Sequence, residues 1–135
     1  YQLYNSSRKD INLNLKIIKN DIYFHFDKLQ ISRCFNNLIK NAIESVEKIP
    51  NPIIEISLNT SENIITIEII DNGVGIDDKM SGKIFEPYFT TKSKGTGLGL
   101  SIVKRIIEDH GGKIKIEKNK NMAGTTAIVK FNYNE

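Results

Sequence analysis

The segment DNGVGI, residues 71–76, combines a carboxylate with two glycines directly after an isoleucine-rich stretch. Side chains alternate between the two faces of a strand, so Asp71 falls on the same side as Ile69. If that side faces the core, the ionised carboxylate requires a hydrogen-bond donor, and the exocyclic amine of a purine is one. Gly73 and Gly75 would let a ring approach the backbone closely. A carboxylate that caps its own loop is the simpler interpretation, and the motif alone favours it.

Two asparagines on a predicted helix form the second candidate group. Asn37 and Asn41 are four residues apart, so they share one face, opposite the apolar stripe of the helix. Their carboxamide oxygens suit a magnesium ion that also holds substrate phosphates. An ordinary solvated helix face has the same pattern, and the pair alone favours that interpretation.

A glycine-rich segment, KGTGLGLSI at residues 94–102, lies where a loop is predicted to become a helix. Free N–H groups and the positive end of the helix dipole make such a junction an anion site. Lys92 and Lys94 add positive charge just upstream. A dinucleotide-binding fold would need these glycines directly after a strand, whereas a long loop precedes them here.

Hydrophobic periodicity predicts the elements that must position these groups. Asp27 is a suitable N-cap for a long helix that ends at Pro50, and a second helix should run from about Gly97 to Gly111 and Gly112. Strands are predicted at 11–17, 22–26, 53–59, 64–70, 113–117 and 125–131. This order predicts an α+β fold, a two-layer α/β sandwich in which a mixed, mostly antiparallel sheet of about five strands packs on about three helices.

Two segments fall outside this periodic pattern. Residues 71–97 show no sustained period, and a loop of that length in a compact domain is usually functional. Residues 1–10 are polar and aperiodic, and we expect them to be a linker or the tail of a preceding helix. Residues 11–135 then form the domain. The chain starts with Tyr1 rather than Met, so we interpret it as a piece of a longer protein.

Composition limits the class of protein. With 135 residues, of which 39% are hydrophobic and 26% charged, the chain suits one packed domain. No stretch approaches about 18 uninterrupted apolar residues, so no transmembrane helix is predicted. The net charge is +3 with mixed signs, and no basic stripe of the kind typical of nucleic-acid binding is present. A single cysteine, Cys34, excludes an internal disulfide and is expected in the core.

In their order and spacing, these motifs resemble the ATP-binding catalytic domain of sensor histidine kinases, within the gyrase–chaperone–kinase–mismatch-repair ATPase superfamily. NNLIKNAIES resembles the N box, DNGVGI the G1 box, FEPYFTTK the F box, and GTGLGLSIVKRIIEDHGG the G2 box with its helix. GTTAIVKF, residues 124–131, resembles the closing G3 segment. The resemblance runs from about Leu13 to Phe131 and implies a Bergerat-type sandwich with a long ATP lid.

The resemblance implies a role for the acid and the asparagines. Asp71 would accept a hydrogen bond from the adenine amine, and Thr125 would help through a bound water. Asn41 would coordinate Mg²⁺, and Asn37 would lie near the phosphates. ATP and Mg²⁺ are therefore the expected ligands.

The resemblance also implies a lid and a phosphate site. Residues 77–96 would form the lid, anchored by Phe85 and Phe89, and Lys92 would face the phosphates and act with Asn41 as a catalytic residue. The full set of expected nucleotide-binding residues is Asn37, Asn41, Asp71, Gly73, Gly75, Ile76, Phe89, Thr90, Thr91, Lys92, Gly95, Thr96, Gly97, Leu98, Gly99, Leu100 and Thr125.

Two features of the first helix bear on the reaction. Many family members carry a basic and an aromatic residue after the second asparagine, where this chain has Glu44 and Ser45; this moves any phosphate clamp to Lys92 and Lys94. Gyrase-like and chaperone-like ATPases carry a glutamate one turn before the magnesium asparagine. Asn37 stands there instead and cannot accept a proton at neutral pH. The resemblance therefore implies slow ATP hydrolysis and transfer of the γ-phosphoryl group to a histidine.

The phospho-acceptor is expected outside this chain, because His25 lies in a predicted strand and His110 ends a helix. The implied partners are ATP, a histidine-bearing dimerisation domain of the same protein and the receiver domain of a response regulator. Binding of nucleic acid and contact of this domain with a membrane are not expected, and the isolated fragment is expected to be monomeric. The resemblance implies a cytoplasmic domain, whether the parent protein is soluble or membrane-bound.

Two alternatives from other classes remain open at this point. One is a non-catalytic, kinase-like interaction module, for which Glu44 and Ser45 are the hints. The other is a serine kinase of the anti-sigma-factor type, although the TTKSKGTGLGL lid favours the histidine kinases.

Overall fold

The computed structural model describes residues 10–17, 27–76, 83–86 and 99–132. In chain order, its elements are β1 (Asn12–Ile17), α1 (Lys28–Ser45), β2 (Ile53–Ser61), β3 (Ile64–Asp71), α2 (Gly99–Asp109), β4 (Lys113–Lys118) and β5 (Thr125–Asn132). The strand predicted at 22–26 and most of the predicted lid lie outside the described residues. Neither α1 nor α2 is long and apolar enough to cross a membrane.

The strands form one sheet in the order β1-β2-β3-β5-β4. β1 pairs in parallel with β2, and the other neighbouring pairs are antiparallel. The parallel pair is possible because the chain returns through α1 between the two strands. The predicted mixed, mostly antiparallel sheet is confirmed, with β3 at its centre.

The core lies between the sheet and the two helices. Its buried residues are Cys34, Leu38, Ile39, Ala42, Ile43, Val46, Ile54, Ile69, Val103, Ile106, Ile107, Val129 and Phe131. This arrangement confirms the predicted two-layer sandwich, and the described residues contain two of the roughly three helices expected. Cys34 is fully buried, as predicted, and burial raises the pKa of its thiol to about 11.

α1 begins where the sequence predicts and ends earlier. The Asp27 side chain caps its N terminus by accepting hydrogen bonds of 3.0 and 3.2 Å from the N–H groups two and three residues ahead. The prediction that the helix continues to Pro50 was wrong, because α1 ends at Ser45 and tighter turns follow it. The carbonyl oxygen of Ser45 accepts a hydrogen bond from the Val74 N–H at 3.2 Å. This contact places the end of α1 beside the DNG segment.

A two-residue turn sets the register of β2 against β3. Glu62 and Asn63 have φ angles of 53° and 63°, which the primed turns of tight hairpins require. In the resulting register Ile54 pairs with Asp71, and β5 pairs Thr125 with Asp71 from the other side. Asp71 therefore ends the central strand between two neighbouring strands.

His110 joins the C terminus of α2 to the N terminus of α1. Gly111 has a φ of 75°, and the Gly112 N–H bonds back to the helix, so the helix ends at the predicted glycines. The Nδ1–H of His110 donates to the Ile106 carbonyl oxygen at 2.8 Å, and Nε2 accepts from the Asp27 N–H at 3.0 Å. Both ring nitrogens thus make structural hydrogen bonds, which supports the prediction that His110 is not a phospho-acceptor.

Candidate functional site

Asp71 is buried at the end of β3. Its exposed fraction is 6%, and Ile65 and Ile69, on the same side of the strand, are 5% and 2% exposed. The core-facing direction predicted from strand alternation is therefore confirmed. Asp71 is also the one buried charged residue in the described part of the chain, and a carboxylate in such a place requires hydrogen-bond donors.

Within the described ranges, three groups donate hydrogen bonds to this carboxylate. Oδ1 accepts from the Gly73 N–H at 2.9 Å and from the Ser45 hydroxyl at 3.3 Å, and the Thr125 N–H contributes the weakest of the three interactions. Burial raises the pKa of Asp71, while these interactions act in the opposite direction because they favour the ionised form. A carboxylate has about four acceptor positions, so the donors within the described ranges do not fill all of them.

The simpler interpretation of the DNG motif is also present in this geometry. The bond from the Gly73 N–H to Asp71 is the loop-capping contact that an Asp-Asn-Gly corner makes. That contact alone does not require burial, since an exposed aspartate can cap a turn equally well. The burial of Asp71 and its further donors from α1 and β5 distinguish it from an ordinary turn residue.

Glycines bring three segments together around Asp71. A Cβ at Gly73 would overlap Ser45, and a Cβ at Gly124 would overlap the carbonyl oxygen of Asp71. Gly75 and Gly124 also have positive φ angles, of 78° and 107°, in a region that L side chains rarely adopt. The DNGVGI segment therefore packs against the end of α1 on one side and the start of β5 on the other.

Asn119, which sequence patterns alone did not single out, ties the loop between β4 and β5 to Asp71. Its Nδ2 donates to the carbonyl oxygens of Asp71, at 2.7 Å, and Ala123, at 3.1 Å, and its Oδ1 accepts from the Thr126 hydroxyl at 2.5 Å. An asparagine directly after a predicted strand is the signal that points to such a residue, since asparagine side chains often close turns.

Asn37, the first of the two candidate asparagines, lies beside the start of α2. Asn37 and Asn41 are half-buried rather than fully exposed, unlike residues of a solvated helix face. The Oδ1 of Asn37 is 3.7 Å from the place that a Cβ would occupy at Gly99, the first residue of α2. A carboxamide oxygen therefore lies next to a helix N terminus, whose free N–H groups favour an anion.

The side-chain oxygens of Asn37 and Asn41 on α1 fit a magnesium ion that is held jointly with phosphates. Mg²⁺ keeps several waters and takes few protein ligands, and carboxamide oxygens are among those it accepts. No group of three or more His, Cys, Asp or Glu residues that could hold a metal lies in the described ranges.

Part of the expected site lies within the described residues. Phe85, an expected lid anchor, contacts α2, because its ring centroid is 5.5 Å from the Nζ of Lys104. Leu100 packs against the core, and Ile76 is half-buried. The expected residues that lie outside the described ranges are Phe89, Thr90, Thr91, Lys92, Gly95, Thr96, Gly97 and Leu98.

Comparison with known proteins identifies relatives over most of the chain. The sequence model of a family described as "Histidine kinase-, DNA gyrase B-, and HSP90-like ATPase" matches residues 26–135. A putative sensor histidine kinase, NtrY-like, from Rickettsia bellii is 40% identical over 131 residues, which cover 89% of this chain and 21% of that protein. The chain thus spans about a fifth of the length of this curated relative.

Solved structures of histidine kinases have the same fold. The catalytic domain of histidine kinase ThkA matches with a TM-score of 0.80 and 35% identity, over 91% of this chain and 79% of that one. ThkA in complex with the response regulator protein TrrA matches with a TM-score of 0.76 and 31% identity, over 92% of this chain and 34% of that one.

Proposed function

The chain belongs to the histidine kinase-, DNA gyrase B- and HSP90-like ATPase family, and from this premise we propose that it is the ATP-binding catalytic domain of a two-component sensor histidine kinase. It would bind ATP with Mg²⁺ and transfer the γ-phosphoryl group to a histidine on a dimerisation domain of the same protein. The observation that carries this proposal is the buried Asp71 carboxylate at the end of β3, directly before the glycines of the DNGVGI segment.

Adenine recognition follows from the chemistry of this acceptor. The exocyclic amine of adenine can donate to Asp71, whereas guanine presents a carbonyl oxygen at the equivalent ring position. Two acceptors that face each other in a buried place leave both unpaired, so a site built for a donor discriminates strongly. Thr125, the cross-strand partner of Asp71, would assist through a water.

The phosphates would lie between α1 and the start of α2. The Oδ1 of Asn37 is already beside Gly99, and Asn41 is one turn further along the same helix face. Asn41 would coordinate Mg²⁺, which when bound neutralises charge on the phosphates. Lys92 and the backbone from Gly95 would complete the site, as the resemblance implies.

The reaction would be phosphoryl transfer rather than hydrolysis. Asn37 stands where the related ATPases place a glutamate, and a carboxamide cannot take a proton from water at neutral pH. The bond from the γ-phosphorus to its bridging oxygen would break, ADP would leave with the electron pair, and a phosphorus–nitrogen bond to the imidazole would form. The domain would contribute positioning and charge neutralisation.

The relatives support a kinase over the two alternatives from other classes. They are named sensor histidine kinases and histidine kinase catalytic domains, which favours neither an interaction module nor a serine kinase. The complex of ThkA with a response regulator protein supports a receiver domain as a further partner of this chain's parent protein. The monomeric state of the fragment and its cytoplasmic location remain predictions.

Calorimetric titration of the chain with Mg²⁺ and a non-hydrolysable ATP analogue tests the binding step. We expect binding of the ATP analogue and much weaker binding of the GTP analogue; equal affinities would contradict the proposal. Incubation with γ-labelled ATP and the parent's dimerisation segment tests the reaction. An acid-labile label on that segment is expected, whereas an acid-stable label would indicate a serine kinase.

A further inference from the structure

Ser45 is the last residue of the N-box segment and is not among the expected nucleotide-binding residues. It is the last residue of α1, and its hydroxyl donates to Oδ1 of Asp71 at 3.3 Å. Its carbonyl oxygen accepts from the Val74 N–H at 3.2 Å, and Gly73 packs against it so closely that a Cβ there would overlap the serine. One residue thus contacts the DNG segment through its side chain and its backbone.

We propose that Ser45 is a positioning residue for Asp71, whose hydroxyl holds the carboxylate ionised and oriented so that its remaining acceptor position faces the base of the nucleotide. This inference rests on the proposed function for the identity of the ligand. The contact between Ser45 and Asp71 does not depend on it.

The three donors to Asp71 differ in whether a side-chain substitution can remove them. Gly73 and Thr125 donate through backbone N–H groups, the first in the turn after β3 and the second in the β3–β5 ladder. Ser45 is the one side-chain donor within the described ranges. Substitution of Ser45 can therefore change the charge state of the carboxylate while the strand pairing that carries it is preserved.

The surroundings of Asp71 allow the effect of Ser45 on its pKa to be measured. Within the described ranges, the influences on the pKa of Asp71 are burial, the Gly73 N–H, the Ser45 hydroxyl and the Thr125 N–H, and none is a charged side chain. Loss of the hydroxyl removes an interaction that favours the ionised form, so the pKa of Asp71 must rise. The pH at which nucleotide binding is lost must then rise too.

The test follows the Asp71 carboxyl carbon by NMR through a pH titration of the ligand-free chain. We compare wild type with Ser45→Ala, with the nearly isosteric weak donor Ser45→Cys, and with Ser57→Ala as a control on the opposite face of the sheet. The titration midpoint should be highest in Ser45→Ala, intermediate in Ser45→Cys and unchanged in Ser57→Ala. Affinity for the ATP analogue at neutral pH should fall about two- to fivefold in Ser45→Ala, since the 3.3 Å contact is longer than an optimal hydrogen bond.

The outcomes separate this inference from the proposed function. Equal midpoints in wild type and Ser45→Ala, both with intact thermal transitions, would overturn the role of Ser45. If Ser45→Ala did not fold, the Ser45→Cys titration would replace it. An Asp71 midpoint in Ser45→Cys equal to that of wild type would then overturn the role of Ser45. Absence of nucleotide binding by wild type would instead overturn the proposed function, whereas the titration of the ligand-free chain would still measure the action of Ser45 on Asp71.

Discussion

Asp71 and Thr125 are directly paired across the antiparallel β3–β5 ladder. Side chains of paired residues leave the same face of a sheet, so the buried carboxylate and the threonine side chain face the core side together. The backbone N–H of Thr125 also donates to the carboxylate. A carboxylate and a hydroxyl that are presented side by side at the end of a central strand can receive a ligand donor directly and through a water.

Replacement of Asp71 by asparagine tests adenine recognition. The expected loss of affinity for the ATP analogue is about 1.5–3 kcal/mol, the contribution of a hydrogen bond to a charged group. The free energy of unfolding of the ligand-free variant at neutral pH should be unchanged or higher, because burial no longer opposes a charge. Titration calorimetry and urea unfolding measure the two effects.

The exposed Asp109→Asn substitution on α2 is the matched control for this experiment, and it should change neither quantity. Full retention of affinity in Asp71→Asn would show that adenine is recognised elsewhere.

The pH dependence of nucleotide binding follows from the raised pKa of Asp71. Ionised Asp71 accepts the adenine amine, so binding should weaken as the pH falls from neutral, and at mildly acidic pH binding should release protons. Calorimetry in buffers of different ionisation enthalpy measures that release. A flat affinity over this range would mean that the carboxylate stays ionised without ligand.

The stability of the ligand-free domain should have the opposite pH dependence from nucleotide binding, because the contribution of Asp71 to stability should increase as the pH falls. The folded-state pKa of Asp71 lies above its ordinary value because of burial, so the folded state holds the proton more tightly than the unfolded state. The contribution of Asp71 to stability therefore falls as the pH rises from the ordinary pKa through the raised one. Thermal unfolding of wild type and Asp71→Asn across this window isolates the contribution.

The direction of Asp71 was predictable because a strand has a period of two. Once the isoleucines of β3 were taken as core residues, the carboxylate had to share their side. The start of β3 after the hairpin turn and the glycines at the end of α2 were predictable because they depend on local backbone preferences, whereas β2 extends to Ser61, two residues beyond its predicted end. The identity of the expected ligand came from the motif resemblance, because hydrophobic periodicity carries no information about ligands.

The contacts that complete the site were not predictable, because they join segments distant in the chain. Ser45 and Asp71 are 26 residues apart, and Asn119 and Asp71 are 48 apart. The end of α1 was also predicted incorrectly. Tighter turns replace the helix after Ser45, and the Ser45 carbonyl oxygen accepts from the Val74 N–H, a tertiary contact that no pattern within the helix signals.

Gly124→Ala tests whether close packing on Asp71 holds the site together. The added Cβ would overlap the carbonyl oxygen of Asp71 and would sit at a φ of 107°. Gly111→Ala is the control, since its φ is 75° but no atom lies within 4 Å of the added Cβ. We expect a loss of about 1 kcal/mol in the control and at least about 3 kcal/mol in Gly124→Ala, measured by urea unfolding. Equal losses would mean that the backbone angle, rather than contact with Asp71, accounts for the glycine.

Asn41→Ala tests magnesium binding on the polar face of α1, with Asn36→Ala, an exposed position on the same helix, as the control. If Asn41 coordinates Mg²⁺, its loss should lower the affinity for the ATP analogue in the presence of Mg²⁺ towards the value measured in EDTA. Affinity in EDTA should be almost unchanged, since the adenine contacts of Asp71 remain. Calorimetric titrations of both variants with and without Mg²⁺ measure these four affinities. The same gain from Mg²⁺ in Asn41→Ala as in wild type would remove Asn41 from the metal site and leave Asn37, beside the start of α2, as the carboxamide to test next.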